Sequence, residues 1–180
     1  MKKIETNLTG ALILEPRVFG DDRGFFLESY NELVFAELGI RERFVQDNHS
    51  YSTRNVLRGL HYQIRQPQGK LVRVITGEIL DVVVDLRQSS TTFGKWESFR
   101  ISGENKRMLW IPVGCAHGFR VASENAHVLY KTTDFYAPEH ERTLAWNDPA
   151  LHIDWLLDGE PVVSAKDQRG HKFSECEKFP

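Results

Sequence analysis

The sequence has few cysteines, no long apolar run, no basic stripe, few helix signals and no internal repeat. Cys115 and Cys176 are its only two cysteines among 180 residues. They lie far apart and outside metal-ligand spacing, so they read as reduced thiols rather than as a disulfide framework. The longest apolar segment, Ile79 to Leu86, is broken by Asp81 and Asp85. A membrane span needs about 20 mostly apolar residues, so no span is expected. The lysines at Lys2 and Lys3 are followed by polar residues where a signal peptide needs an apolar stretch. These readings predict a cytoplasmic protein. Net charge is -2 with both signs interleaved, which gives no footprint for nucleic acid. Isolated Arg and Lys side chains remain available for a small anion.

What is present fits one globular domain over residues 1–180: 41% hydrophobic and 27% charged residues, enough for a sizeable core. Asn31 is placed to cap a short helix through Leu33, Val34, Phe35 and Leu38, ended by Gly39. Most other elements read as strands. Leu71–Ile75 is β-branched, and Gly77 turns the chain into Ile79–Leu86, where Leu80, Val82, Val84 and Leu86 alternate onto one face. Trp96–Ile101, Met108–Ile111, Gly118–Val121 and Val128–Thr133 continue the series. Such close spacing predicts a mainly β fold, a sandwich or barrel with a few short helices. The tail has less periodicity. Asp154 to Leu157 is expected to pack on the barrel, and Ser164 to Asp167 reads as a capped turn.

Three segments carry candidate chemistry. In Gly69-Lys70-Leu71-Val72-Arg73-Val74, Lys70 shares a face with Val72 and Val74. A lysine turned into a barrel needs an anionic partner or a developing oxyanion, because an unpaired buried ammonium is costly; a snorkelling edge lysine accounts for the pattern equally well. In Pro112-Val113-Gly114-Cys115-Ala116-His117, the Pro-x-Gly-x-x-His spacing resembles the second half of the cupin signature. Metal-binding cupins supply His-x-His and a Glu from the first half. Here that stretch is His61-Tyr62-Gln63 with Lys70 downstream, a poor donor set for a divalent ion. No metal or other cofactor is therefore expected. In Val128-Leu129-Tyr130, the tyrosine taken alone fits a half-buried core position with a bonded hydroxyl.

Together, Asp22–Tyr30, Phe44–Ser50, Val56–Gln63, Gln68–Val74, Asp81–Arg87, Pro112–Phe119 and Ser164–Asp167 resemble, in order, the dTDP-4-dehydrorhamnose 3,5-epimerases of deoxysugar biosynthesis. The resemblance runs from about Leu14 to Asp167. It departs at Cys115, where the family usually has Phe, and in a slightly shorter loop between Gln63 and Gly69. No pattern is evident after Asp167. The family implies a cupin, or double-stranded β-helix jelly-roll, barrel and a nucleotide-linked 4-keto-6-deoxyhexose substrate. It further implies His61 as base, Tyr130 as proton donor, Lys70 as enolate stabiliser and Asp167 as holder of the His61 ring. Substrate contacts implied by the match are Arg23, Glu28, Gln46, Asn48, Arg58, His117, Glu141 and Lys166, with Tyr136 stacked on thymine. A homodimer is implied, with Arg23 and Glu28 acting in trans. Three alternatives stand beside this reading: a relative inverting only C3 or only C5, a metal-dependent cupin enzyme, and a non-catalytic sugar-nucleotide binder. His49, His127, His140, His152 and His171 take no role and are expected at the surface or in packing.

Overall fold

The computed structural model describes residues 1–180. Two antiparallel sheets face each other. The larger has six strands in the order β1 (Lys2–Glu5), β2 (Leu12–Glu15), β10 (Met108–Ile111), β7 (Lys70–Thr76), β12 (Asn125–Thr132), β5 (Gln46–Thr53). The smaller runs β13 (Glu141–Thr143), β6 (Val56–Gln63), β11 (Cys115–Val121), β8 (Glu78–Asp85), β9 (Trp96–Ser102), and β14 (Val162–Val163) adds to β6 in parallel. Sheet neighbours are mostly distant in sequence, as in a jelly roll: this is the expected cupin barrel. A separate hairpin, β3 (Val18–Asp21) and β4 (Gly24–Leu27), stands apart from both sheets.

Period-two alternation sorts the side chains into three apolar layers. Between the sheets lie Val72, Val74, Ile79, Val83, Phe119, Val121 and Val128. Outside the smaller sheet, Val82, Val84 and Leu86 pack with Leu144, Leu151, Trp155 and Cys176 of the C-terminal segment. Outside the larger sheet, Leu12, Leu14, Leu71 and Trp110 meet Phe35 and Ile40. Strand β8 is buried on both faces because the tail covers its outer side. Phe35 is brought in by the one α-helix, α1 (Glu32–Glu37). Asn31 caps it as expected, its side-chain oxygen accepting from the Leu33 and Val34 amides, and Gly39 follows at φ +95°.

The tail corrects one expectation. Trp155 is buried, but Leu156 and Leu157 of the same apolar run are exposed. Trp155 donates its indole N–H to the Trp146 carbonyl at 2.8 Å and is the one residue of the Asp154–Leu157 run that enters the outer layer. The two cysteines are both buried and free. No helix is long and apolar enough to cross a membrane.

Candidate active site

Between the sheets the apolar layer stops short and leaves a cavity of about 570 Å³. Strand β6 delivers Arg58 and His61 to it, β11 delivers His117, and both belong to the smaller sheet. Strands β7 and β12 of the larger sheet deliver Lys70 and Tyr130 from across the barrel. Two glycines let β6 and β11 approach at this level. A Cβ on Gly59 would lie 2.6 Å from the Gly118 Cα, and one on Gly118 would lie 2.5 Å from the Arg58 carbonyl oxygen. The ladder shifts register there, between His117 and Phe119.

The tail closes the site. β14 runs beside Val56 and Leu57, and the turn after it brings Ser164, Lys166 and Asp167 to the cavity. The Asp167 amide donates to Ser164 Oγ at 3.1 Å, so the expected capped turn forms. Asp167 Oδ1 lies 2.6 Å from His61 Nε2. Because a carboxylate only accepts, this bond puts the imidazole proton on Nε2 and leaves Nδ1 with its lone pair. Burial pushes the Asp167 pKa upward, but the bond and charge of His61, with smaller help from the Gly59 amide and Ser164, hold it below the ordinary value.

His117 has its own carboxylate. Its Nε2 lies 2.9 Å from Asp81 Oδ1 and 3.0 Å from Oδ2. Burial drives the His117 pKa below its usual value against the opposing pull of Asp81, so the ring is neutral at pH 7. Lys70 is buried, and its Nζ donates to the His61 carbonyl at 3.3 Å. Burial lowers its pKa to about 8, with Asp81 and Glu141 pulling the other way. The ammonium therefore stays charged at neutral pH inside the barrel, and the snorkelling alternative does not apply. Tyr130 is raised above its ordinary value by burial and Glu141, against Arg58, and keeps its proton at pH 7.

A family model described as dTDP-4-dehydrorhamnose 3,5-epimerase matches residues 5–175. This chain belongs to that family. A dTDP-4-dehydrorhamnose 3,5-epimerase of Pseudomonas aeruginosa is 60% identical over the full length of both chains. The Legionella pneumophila epimerase solved in complex with dTDP-4-keto-L-rhamnose is 49% identical, covering 98% of this chain and 94% of that one, with TM-score 0.95. A 3'-monoepimerase from Streptomyces bikiniensis in complex with dTDP-quinovose is 31% identical, covering 94% and 86%, with TM-score 0.89. The chain is thus a carbohydrate epimerase, of the isomerase class.

Of the residues that the family match singled out, His61, Lys70, Tyr130, Asp167, Arg58, His117 and Lys166 line the one cavity. Four more form a polar rim leading out from Lys166. Lys166 Nζ lies 2.5 Å from Glu141 Oε2, and Tyr136 donates its hydroxyl to the same oxygen at 2.8 Å. The Tyr136 amide donates to Gln46 Oε1 at 3.0 Å, and Gln46 donates to Asn48 at 2.9 Å. Arg23 and Glu28 are not brought to this chain's own cavity. Arg23 pairs with Asp21 inside the hairpin, and Glu28 accepts from Asn31.

Asp81 was not singled out as a residue of the site, though a signal existed. Asp81 and Asp85 share a face of β8 with Ile79 and Val83, so both had to find partners inside. Asp81 takes His117, and Asp85 is satisfied by Arg87, Ser90 and Thr92. The family match itself extends past Asp167, where no pattern had been evident. His49 and His127 do meet, their ring nitrogens 3.0 Å apart on the outer sheet face.

Proposed function

We propose that this chain inverts C3 and C5 of a dTDP-linked 4-keto-6-deoxyhexose, converting dTDP-4-dehydro-6-deoxy-D-glucose to dTDP-4-dehydro-L-rhamnose. One observation carries the reading. His61, backed by Asp167, and Tyr130 reach the same cavity from opposite sheets. The C–H bonds at C3 and C5 flank the C4 ketone, so loss of either proton gives an enolate. Inversion needs removal from one ring face and return to the other. Two acid–base groups facing each other across one cavity meet that need without turning the sugar over.

In this reading His61 removes the proton from carbon. The negative charge moves onto the ketone oxygen, where the Lys70 ammonium stabilises it. Tyr130 then delivers a proton to the same carbon from the other side, and the enolate collapses back to the ketone. Asp167 stabilises the imidazolium that forms and fixes the ring. Proton exchange with solvent resets His61 and Tyr130 for the second carbon. Arg58 and Lys166 supply positive charge for the diphosphate. Gln46, Asn48, Glu141 and Tyr136 form the rim where the nucleoside rests, with the Tyr136 ring against thymine. His117, kept neutral by burial and oriented by Asp81, contributes no charge and contacts the sugar.

No metal enters this scheme. The Gln63 amide, at the second cupin ligand position, spends its nitrogen on the Gln66 and Phe135 carbonyls and its oxygen on the Ala137 amide. Proton NMR of the product from dTDP-4-keto-6-deoxyglucose, with chelator-treated enzyme, tests both claims. Inversion at both carbons is expected. Inversion at one carbon alone makes the chain a monoepimerase, and activity restored only by a divalent ion overturns the metal-free reading.

The working unit is a homodimer in the cytoplasm. The hairpin exposes Phe19, Phe25 and Phe26, at 49%, 59% and 69%, together with Arg23. Exposed aromatics on an arm that leaves its own cavity favour insertion into a second copy. Mixing an Arg23→Ala variant with a His61→Asn variant is expected to restore activity through one intact hybrid site. No recovery in a verified heterodimer would mean that each site is built from one chain.

A further inference from the structure

Gln63 has no place in the chemistry above, yet it is the most fully engaged amide beside the site. It ends β6, two residues after His61, and is 4% exposed. Its Nε2 donates to the Gln66 carbonyl at 2.7 Å and to the Phe135 carbonyl at 3.2 Å. Its Oε1 accepts from the Ala137 amide at 2.9 Å. Phe135 and Ala137 flank Tyr136. One side-chain amide therefore grips the backbone on both sides of Tyr136, in the donor-plus-acceptor manner of a neighbouring strand. Few side chains can do this. Histidine, the residue of metal-binding cupins, is confined to ring nitrogens, and a carboxylate lacks the donor.

The loop after β12 has no ladder partner at this point, since β12 ends at Thr132. Besides Gln63, it is held by Gly69 and Gln68, which bond residues 133 and 134. Those contacts stop short of Tyr136. The Tyr136 ring itself is half exposed, and its only side-chain bond is to Glu141. Its backbone is thus fixed from one side by Gln46 and from the other by Gln63.

We propose that Gln63 is a positioning residue for the nucleotide end of the site, holding Tyr136 as a preformed platform for the base. This rests on the reading of Tyr136 as the thymine contact. The residue that the cupin scaffold uses for metal is, in this chain, used to order the loop that binds the nucleoside. A loop already ordered when ligand arrives loses less entropy on binding, so Gln63 acts on affinity more than on the chemical step.

The test is calorimetric binding of TDP alone, together with kcat and KM on the 4-keto sugar nucleotide, for five proteins. These are the wild type, Gln63→Met, Gln63→Asn, Tyr136→Ala and the double variant Gln63→Met with Tyr136→Ala. Gln63→Met keeps the volume and removes all three bonds. Gln63→Asn keeps the amide but is too short to bridge both backbone groups, and it serves if the Met variant does not fold. Both are expected to weaken TDP binding by about tenfold and raise KM, with kcat within about threefold of wild type. In the double variant Gln63→Met with Tyr136→Ala, TDP affinity should match Tyr136→Ala alone, because the platform is already gone. Wild-type TDP affinity in both Gln63 variants, with Tyr136→Ala impaired, overturns the proposal and leaves the thymine reading intact. Wild-type affinity in Tyr136→Ala overturns the thymine reading and the proposal with it. Loss of kcat with TDP affinity unchanged would mean that Gln63 serves the His61 strand instead, and also overturns it.

Discussion

The cavity holds two histidine–carboxylate pairs built from similar parts and placed for different work. His61 and His117 are partners across the β6–β11 ladder. His61 keeps 28% side-chain exposure and takes its carboxylate from the tail, about a hundred residues away in sequence. His117 keeps 8%, and its carboxylate comes from the adjacent strand β8 and is fully buried. The closed pair is a fixed hydrogen-bonding unit in which burial keeps the ring neutral. The open pair presents more of its ring to the cavity. In the proposed mechanism the same pairing gives a holder where the ring is buried and a base where it is more open to the cavity.

The sharpest way to break this comparison is to remove each ring. His61→Asn is expected to lower kcat by about 10⁴, the upper range for a general base, and to abolish deuterium uptake from D2O, with a smaller fall in thermal midpoint than the His117 variant because Asp167 keeps the Gly59 amide. His117→Asn is expected to do the reverse. It leaves Asp81 buried with a poorer partner, so stability should fall by roughly 2–3 kcal/mol while kcat falls by about tenfold or less. Kinetics and thermal melts on both variants check this, and equal kinetic losses would erase the distinction.

Lys70→Met tests the charge that both pairs surround. It is expected to lower kcat by about 10²–10³ with KM little changed, because the ammonium matters most once charge reaches the ketone oxygen. Stability should move the other way. A lysine whose pKa burial lowers to about 8 from the ordinary 10.5 binds its proton more weakly when folded. Burying the cation then costs roughly 3 kcal/mol below pH 8, a penalty that fades as pH rises through 8 toward 10.5. At pH 7 the variant should therefore melt higher than wild type, and the gap should narrow at high pH. For the same reason wild-type kcat should decline as pH passes about 8. A variant that melts lower at pH 7 would show that Lys70 is net stabilising.

Tyr130→Phe sharpens the role of the wall opposite the open pair. His61 still removes a proton, exchanges it and returns it to the same face. Deuterium uptake with retained configuration is expected, while inverted product falls by about 10². NMR of substrate and product from D2O at matched conversion decides it. Equal loss of exchange and inversion would make Tyr130 part of enolate formation, and wild-type inversion would return it to a packing role.

Much of this was legible in one dimension. Alternation in β7 and β8 is a local property, so the face that Lys70 shares with Val72 and Val74, and the one that Val82, Val84 and Leu86 share, followed from spacing; which face turns inward did not, and the fold put Lys70 inside and Val82, Val84 and Leu86 outside. The helix signal at Asn31 was equally local. Leu156 and Leu157 were misjudged because apolar character does not say which side chain of a run finds room in the outer layer, where only Trp155 of the three enters. Asp81 stood in one family motif and interrupted an apolar run, but its pairing with His117 was not legible because that partner lies on another strand.

The sequence by itself determined the residue types, their faces on each strand and the family that their order resembles. Those depend on backbone periodicity and on short motifs. The tertiary structure alone decided which groups meet. Barrel closure set Tyr130 opposite His61, β14 carried Asp167 back to β6, and the loop after β12 came within reach of Gln63. It also decided protonation. Lys70, His117 and Tyr130 leave their ordinary pKa values chiefly because burial strips water from their charged forms, and burial is a property of the whole fold.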